Sequence, residues 1–364
     1  MDIIFRTDAS IEIGSGHVMR CLALADGLKL RGLEIGFICR DLPGHLGDLI
    51  ERKGYPVILL SPPDGVRDVS HGDTRHSHWL GVNWEVDTRQ TAAELTKTSV
   101  PIKWLIVDHY ALDYKWEAYL RSYVKKIMVI DDLADRHHEC DLIVDQNLYH
   151  NAATRYDGLI PVQCKKMTGP QYAMLRREFR EARKNLRKRD GSIRGIHVFF
   201  GGTDEANETT KAIQALVMLQ RSDIHVDVVV GENNPHGRDI ELLCQAMPNF
   251  LFHRQVDHIA FLMMQADLAI GSGGTTTWER CCLGVPAVVA ILGENQRELT
   301  YAVENYGAII NMGDGCNITP KDYFQVISNL KPDHLVKMSE LGMVLVDGEG
   351  TLRVADEIEQ KVKY

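Results

Sequence analysis

Two stretches of this chain carry residue types at spacings that suit chemistry. The first is Gly14-Ser15-Gly16-His17, followed by Val18-Met19-Arg20-Cys21-Leu22-Ala23-Leu24-Ala25. Two glycines let the backbone turn tightly and come close to a ligand, and the run behind them reads as a helix over 17 to 31, so His17 opens it. Free N–H groups and the positive end of the helix dipole gather there, which welcomes an anion and disfavours an imidazolium. The expectation is a neutral His17 that accepts a proton beside a phosphate-bearing substrate, the profile of a general base. A glycine turn whose histidine merely packs or caps fits the same four residues, because short glycine motifs recur in many loops.

The second stretch is Ala266-Asp267-Leu268-Ala269-Ile270-Gly271-Ser272-Gly273-Gly274-Thr275-Thr276-Thr277-Trp278-Glu279-Arg280. A strand here delivers a glycine-rich loop straight into a helix. Backbone N–H groups and three threonine hydroxyls are expected to converge on one point, a cradle for phosphate. Glu279 lies about one helical turn inside and is placed to accept hydrogen bonds from both hydroxyls of a ribose. Beyond Gly284-Val285-Pro286 and a further strand, the amides of Asn295 and Gln296 are expected to point into the same cleft. A Gly-Gly-Thr turn that only caps a helix is the plainer alternative, and the length of the pattern argues against it.

Other polar residues fall where strands end. Arg6 and Asp8 follow Ile3-Ile4-Phe5, Arg40 and Asp41 follow Ile35 to Cys39, and Asp108-His109-Tyr110 follow Trp104 to Val107. Arg40 and Asp41 read as a surface salt bridge, and Asp87, ahead of Thr88 to Leu95, as a helix cap. Asp108, His109 and Tyr110 stand where a parallel sheet presents its chemistry. Asp131 and Asp132 invite Mg²⁺, yet neighbours on a strand end point in opposite directions, so one of them should hold a backbone group or a basic partner. The segment 61 to 88 carries His76, His78, Trp79 and Trp84; it suits a lid over a sugar and lacks a zinc-like ligand spacing. No metal and no cofactor is expected.

The elements that must position these residues follow from the alternation of short apolar runs with amphipathic stretches, which implies βαβ units, a parallel sheet and a ligand beyond the carboxyl ends of its strands. The pattern restarts at Gly195-Ile196-His197-Val198-Phe199-Phe200, which leads into Gly201-Gly202-Thr203. With 364 residues, two domains are expected. The boundary falls in the Arg/Lys-rich run 176 to 194, read as a solvated helix and linker. That gives a first domain over 1–190, a second over 195–350 and a final helix over 351–364. Apolar residues are 45% and charged residues 25% of the chain, an ordinary globular balance. The net charge of −9 gives no electrostatic reason to expect nucleic acid. Eight cysteines without a C-x-x-C pair and the lack of a signal-like N-terminus suggest a reduced, cytoplasmic setting. No apolar run approaches the length of a membrane span, and the oligomeric state is not readable.

Residues 266 to 279, with Gly284-Val285-Pro286 and Asn295-Gln296, resemble the nucleotide-binding half of GT-B enzymes, notably the UDP-N-acetylglucosamine transferase of peptidoglycan synthesis. Arg6-Thr7-Asp8-Ala9, Gly14 to Arg20, Trp79 to Val82, Val107 to Tyr110, Ile130-Asp131-Asp132, Gly169-Pro170 and Phe200-Gly201-Gly202 are similar to the UDP-2,4-diacetamido-2,4,6-trideoxy-β-L-altropyranose hydrolases of pseudaminic acid biosynthesis. The resemblance spans nearly the whole chain in order. It implies a GT-B α/β fold, two Rossmann-like parallel-sheet domains facing an interdomain cleft, and a metal-independent, inverting hydrolase acting on a small-molecule UDP-sugar. It also implies site roles: His17 as the catalytic base; Gly14, Gly16, Gly202, Gly273, Gly274, Thr275, Thr276 and Glu279 around UDP; and Arg6, Asp8, Tyr110, Asn295 and Gln296 against the substrate. A glycosyltransferase using a sugar or lipid acceptor and a non-catalytic UDP-sugar sensor are the competing readings of the same motifs.

Overall fold

A computed structural model of the protein describes residues 1–61, 74–98, 100–232 and 234–361. Part of the histidine-bearing segment 61 to 88, namely 62–73, therefore lies outside the described residues, as do Asn233 and the end of the charged tail. The chain forms two compact units, one built from Met1–Arg176 with the segment from Glu349 onward, the other from Arg177–Gly348.

In the first unit, strands β1 (Ile3–Thr7), β2 (Ile35–Arg40), β3 (Val57–Leu60), β4 (Ile102–Asp108), β5 (Val124–Ile130), β6 (Leu142–Asp145) and β7 (Lys165–Thr168) make one sheet. Their order is β3-β2-β1-β4-β5-β6-β7, with every neighbouring pair parallel. Helices α1 (Gly16–Lys29), α2 (Gly47–Arg52), α3 (Trp84–Leu95) and α4 (Tyr114–Leu120) connect them. Strand side chains alternate between two buried faces: Trp104 and Ile106 of β4 enter one cluster with Phe5 and Phe37, while Leu105 and Val107 enter the other with Ile4, Ile38 and Trp116. Such apolar strands, covered on both sides, are the signature of a parallel sheet with helices on each face.

The second unit begins with α5 (Arg177–Arg183) and repeats the plan. Strands β8 (Gly195–Phe199), β9 (His225–Val230), β10 (Phe250–Arg254), β11 (Leu268–Ser272), β12 (Ala287–Ile291) and β13 (Ile310–Asp314) run parallel in the order β10-β9-β8-β11-β12-β13. Its other helices are α6 (Glu208–Met218), α7 (Gly237–Gln245), α8 (Ile259–Gln265), α9 (Thr276–Cys282), α10 (Glu294–Tyr306), α11 (Pro320–Ser328) and α12 (Pro332–Leu345). Helix α13 (Gly350–Gln360) then returns to the first unit, where Val354, Ala355 and Ile358 are wholly buried in the cluster that holds Leu24, Ala25 and Leu28 of α1. This is why α1 is apolar on nearly every side: the sheet covers one flank and α13 another.

The basic run 176 to 194 differs from the solvated linker expected of it. Arg183 donates to the carbonyls of Cys282, Met343 and Val346, and Arg189, 7% exposed, donates to those of Met264, Ala266, Leu283 and Gly284. These carbonyls close α8, α9 and α12, whose last turns have no partner within the helix and a negative dipole end. The guanidinium groups supply the missing donors, so this segment is part of the second unit's body. Charge density in the sequence looks the same for a solvated arginine and for one spent on carbonyls.

Candidate active site

Both sheets change direction of winding at one place, between β1 and β4 in the first and between β8 and β11 in the second. Loops leaving the carboxyl ends of such strands splay apart and leave a crevice for a ligand.

In the first unit, Thr7 at the end of β1 is level with Asp108 at the end of β4. The chain leaving β1 turns through a Ser10–Gly14 bridge, where the Gly14 N–H donates to the Ser10 carbonyl at 2.9 Å and Gly14 takes a φ of +78° that a side chain would strain. It enters α1 at Gly16, which sets His17 against Asp108. His17 Nδ1 lies 2.6 Å from Asp108 Oδ1, and Nε2 has no hydrogen-bond partner among the described residues. Arg20, one turn further along α1, grips both carboxylate oxygens: Nε donates to Oδ2 at 2.7 Å and Nη2 to Oδ1 at 2.7 Å. Its Nη1 donates to Asp132 Oδ2 at 2.9 Å, and the Tyr110 hydroxyl donates to the other oxygen of Asp132. Burial resists a charge on Asp108, but Arg20 and His17 overcome it and hold the carboxyl well below the usual range. Burial and Asp132 together push the Tyr110 phenol far up, so it stays a donor.

One side of His17 is aromatic. The Tyr110 ring meets it edge-on at 4.5 Å, Trp79 stacks on Tyr110 at 5.6 Å, and His76 lies 4.4 Å from Trp79. Burial, helped by the nearby Arg75, pulls His76 down to about 4.

Behind this lies a second charged layer. Arg6 donates to Asp8 at 2.6 Å and to Asp87 at 2.6 Å; Arg40 Nη2 donates to the same Asp87 oxygen at 2.6 Å, and Trp116 Nε1 to the other at 3.0 Å. The Arg40 N–H donates to Asp8. Arg6, Asp8 and Asp87 have no exposed surface. Three expectations change here. Arg6 and Asp8, read as substrate contacts, are enclosed and spend their charges on other residues. Arg40 is buried, unlike a surface pair, and only Asp41 meets a neighbour at the surface, His45 at 3.5 Å. Asp87 is not a cap: α3 starts at Trp84, and Asp87 is the acid that two buried arginines need. Asp131 and Asp132 each take a basic partner, Arg136 at 2.7 Å and Arg20, and the Ala134 N–H also donates to Asp131.

In the second unit the loops are built from backbone. Gly201-Gly202-Thr203 leaves β8 and turns into α6, whose first N–H groups are taken by Asp204: Glu208 N–H at 3.0 Å and Thr209 N–H at 2.9 Å. Gly202 and Gly231 touch through their backbones, and a methyl group on Gly231 would be driven into the Gly202 carbonyl. Gly273 and Gly274 leave β11 beside the side chains of Thr300 and Gln296, with room for no Cβ at Gly273. Gln296 bends back so that its Oε1 accepts from the Leu292 N–H at 3.1 Å. Asn295 is exposed at the start of α10; Thr275, Thr276 and Glu279 are partly exposed at the start of α9. The three threonines do not converge: Thr277 is 1% exposed, and its hydroxyl accepts from the buried Arg280, which also donates to the Ser272 carbonyl at 2.7 Å. Among the described residues, no three His, Cys, Asp or Glu side chains are grouped so as to hold a metal ion.

The structure thus gathers His17, Asp108 and Tyr110 in one cluster, and Gly273, Gly274 and Gln296 in another. Arg20, central to the first, had no role assigned from the sequence, and Asp132, weighed there for Mg²⁺ and as one of a pair expected to hold a backbone group or a basic partner, proves to be Arg20's anchor. Arg20 was findable, since a spacing of three places it on the face of α1 that carries His17. The pairing of Arg6 with Asp87, 81 residues away, leaves no local signal.

Two parallel-sheet Rossmann-like domains of this winding define the GT-B class, and the chain aligns with the crystal structure of MurG from Acinetobacter baumannii at a TM-score of 0.64, with 14% identity over 99% of this chain and 100% of that one. Residues 196–335 match the glycosyltransferase family 28 C-terminal domain. The chain is 28% identical to the UDP-2,4-diacetamido-2,4,6-trideoxy-β-L-altropyranose hydrolase of Campylobacter jejuni, over 78% of this chain and 89% of that protein. It is 29% identical to the spore coat polysaccharide biosynthesis protein SpsG of Bacillus subtilis, over 98% of each. An uncharacterized Methanocaldococcus jannaschii protein, MJ1062, is 26% identical over 82% of this chain, which spans 57% of that protein's length. No described helix is long and apolar enough to cross a membrane.

Proposed function

We propose that the protein hydrolyses a UDP-linked diacetamido-trideoxy hexose, UDP-2,4-diacetamido-2,4,6-trideoxy-β-L-altropyranose, to the free sugar and UDP, as a step of pseudaminic acid biosynthesis. The observation that carries the reading is the His17–Asp108 pair at the winding reversal of the first sheet. With its Nδ1 proton donated to Asp108, the imidazole presents Nε2 as a base. Water then attacks the anomeric carbon from the face opposite UDP while Nε2 takes its proton. The bond from that carbon to the diphosphate oxygen breaks, and UDP leaves with the electron pair. The centre inverts, as in inverting glycosidases, where a carboxylate plays the part of the histidine. UDP is assigned to the second unit, where the Gly202 and Gly273–Gly274 loops, with Thr275 and Thr276, would offer donors to the diphosphate and Glu279 would accept from the ribose. Gln296 sits by the Gly273–Gly274 loop, Asn295 precedes it at the start of α10, and Gly14 and Gly16 border His17. The similarity to the Campylobacter hydrolase supports this choice of substrate.

A glycosyltransferase is the second reading, favoured by the family 28 match over 196–335. Incubating the purified protein with the UDP-diacetamido sugar and no acceptor separates the two. UDP release matched by free sugar in the NMR spectrum supports hydrolysis. Release that depends on an added sugar or lipid acceptor supports transfer, and UDP binding with no release would mark a sensor.

A further inference from the structure

We propose that Arg20 is a positioning residue for His17: its guanidinium locks Asp108 with Oδ1 on the imidazole and offsets the charge of that carboxylate, so that the ring keeps a lone pair for water. The inference rests on the reading of His17 as the base. A buried carboxylate at 2.6 Å from a histidine, acting alone, favours the doubly protonated ring, and an imidazolium has no lone pair to accept a proton. Asp108 does not act alone. Arg20 Nη2 stands 3.3 Å from His17 Nδ1 and donates to the same Oδ1 that faces the ring. Its fixed positive charge therefore opposes a second proton on the imidazole. Because Nε takes Oδ2 at the same time, the two-point fork also removes the carboxylate's freedom to rotate, which a lysine at one point would not do.

The other groups around His17 leave this task to Arg20. On α1, the Cys21 thiol donates to Asp108 Oδ2 at 3.4 Å and is pushed well up by burial, so it is uncharged. After β4, the His109 ring is pulled down by burial and lies 3.2 Å from Asp8, and Tyr110 presents a ring edge and stays protonated. From the turn at 74–80, His76 and Trp79 contribute rings, and Arg136 is spent on Asp131 and Asp135 beyond Tyr110. Behind Arg20, Asp132 takes Nη1 and anchors the guanidinium. The line is therefore His17, Asp108, Arg20, Asp132, with alternating charge from Asp108 onward.

The alternation gives opposite signs for two single changes. Arg20→Gln leaves Asp108 unopposed, whereas Asp132→Asn leaves Arg20 more positive. In protein labelled with ¹⁵N histidine, with the His17 signals identified by their loss in His17→Asn, the fraction of doubly protonated ring at a fixed pH is expected to rise in Arg20→Gln and fall in Asp132→Asn. In UDP release, the acid limb of the pH profile is expected to move up in Arg20→Gln and down in Asp132→Asn. Arg20→Lys keeps the charge without the fork, so it should keep the ring's protonation near wild type while turnover stays low. It also carries the test with Asp132→Asn should the glutamine variant not fold. Ring spectra unchanged by Arg20→Gln, or shifted the same way by both variants as general loosening would do, overturn the assignment. Absence of UDP release by the wild type sinks the hydrolase reading instead, and the ring spectra still decide the role of Arg20.

Discussion

At the same topological point, the two units present opposite kinds of surface. Where β1 and β4 diverge, the first unit concentrates charged side chains, Arg6, Asp8, Arg20, Asp87, Asp108 and Asp132, nearly all of them inaccessible. Where β8 and β11 diverge, the second unit offers glycine backbone, and the buried Arg280 beside it turns inward to the Ser272 carbonyl. A site made of side chains must give every buried charge a partner, since an unpaired one costs several kcal/mol. A site made of amides must instead keep side chains away, as the touching backbones of Gly202 and Gly231 do. In the reading proposed above, the first design aims a proton acceptor and the second leaves room for a diphosphate.

The sharpest way to break this contrast is to remove the acceptor. His17→Asn or His17→Leu should lower turnover by about 10²- to 10⁴-fold and leave UDP affinity unchanged by calorimetry; equal losses in both would place His17 in the nucleotide site instead. Next in size is Asp87→Ala, which strands Arg6 and Arg40. Unfolding in denaturant should show a loss of about 3–5 kcal/mol, and a loss below about 1 kcal/mol would mean water reaches those guanidinium groups. Gly231→Ala attacks the other design. Overpacking of this kind costs about 1–3 kcal/mol, and UDP affinity should fall with it while the ring spectrum of His17 stays the same.

Acid should separate the units. In the first, Arg6, Arg20 and their neighbours overcome burial to depress Asp8, Asp87 and Asp108, and Arg136 helps bring Asp131 to about 2. A depressed carboxylate stabilises the fold above its unfolded value near 3.9, and that contribution is lost as pH falls through the folded value. In the second, burial raises Asp204 and Glu208, whose contribution is fully present below their unfolded values and lost as pH rises through the folded ones. Asp145, raised by burial in the first unit, and exposed second-unit carboxylates such as Asp190 and Asp223, lowered by Arg194 and Arg221, work against the trend; the latter are solvated pairs that count for little. Between pH 4 and 2, hydrogen exchange should therefore show the first unit losing protection before the second. The smallest expected effect is Arg189→Ala, which uncaps carbonyls of α8 and α9. A loss of about 1–3 kcal/mol in the second unit alone is expected, and no change would return that arginine to solvent.

Much of the architecture was legible because it is written locally. Short apolar runs, which become strands of four to seven residues, alternate with helical stretches, and the glycine loops stand where strands give way to helices, so β1, α1, β4, β8, β11 and α9 fall close to where the pattern puts them. The charged layer was not legible, because side-chain pairing is settled by strands that meet only in the folded sheet. Asp87 looks like a cap and Arg40 like a surface residue until β2 and α3 are packed together. Thr277 misled for a related reason: along a helix, adjacent hydroxyls cannot all face one ligand, and the third turned toward Arg280.

The return of α13 to the first unit has a consequence for how the protein is made. Val354, Ala355 and Ile358 complete a core begun by Ile3 and Phe5, so on the ribosome the leading domain waits, with one flank of α1 bare, until the whole second unit and α13 behind it have been made. The trailing domain, whose ends both lie within one continuous stretch of chain, has no such delay and can be finished first.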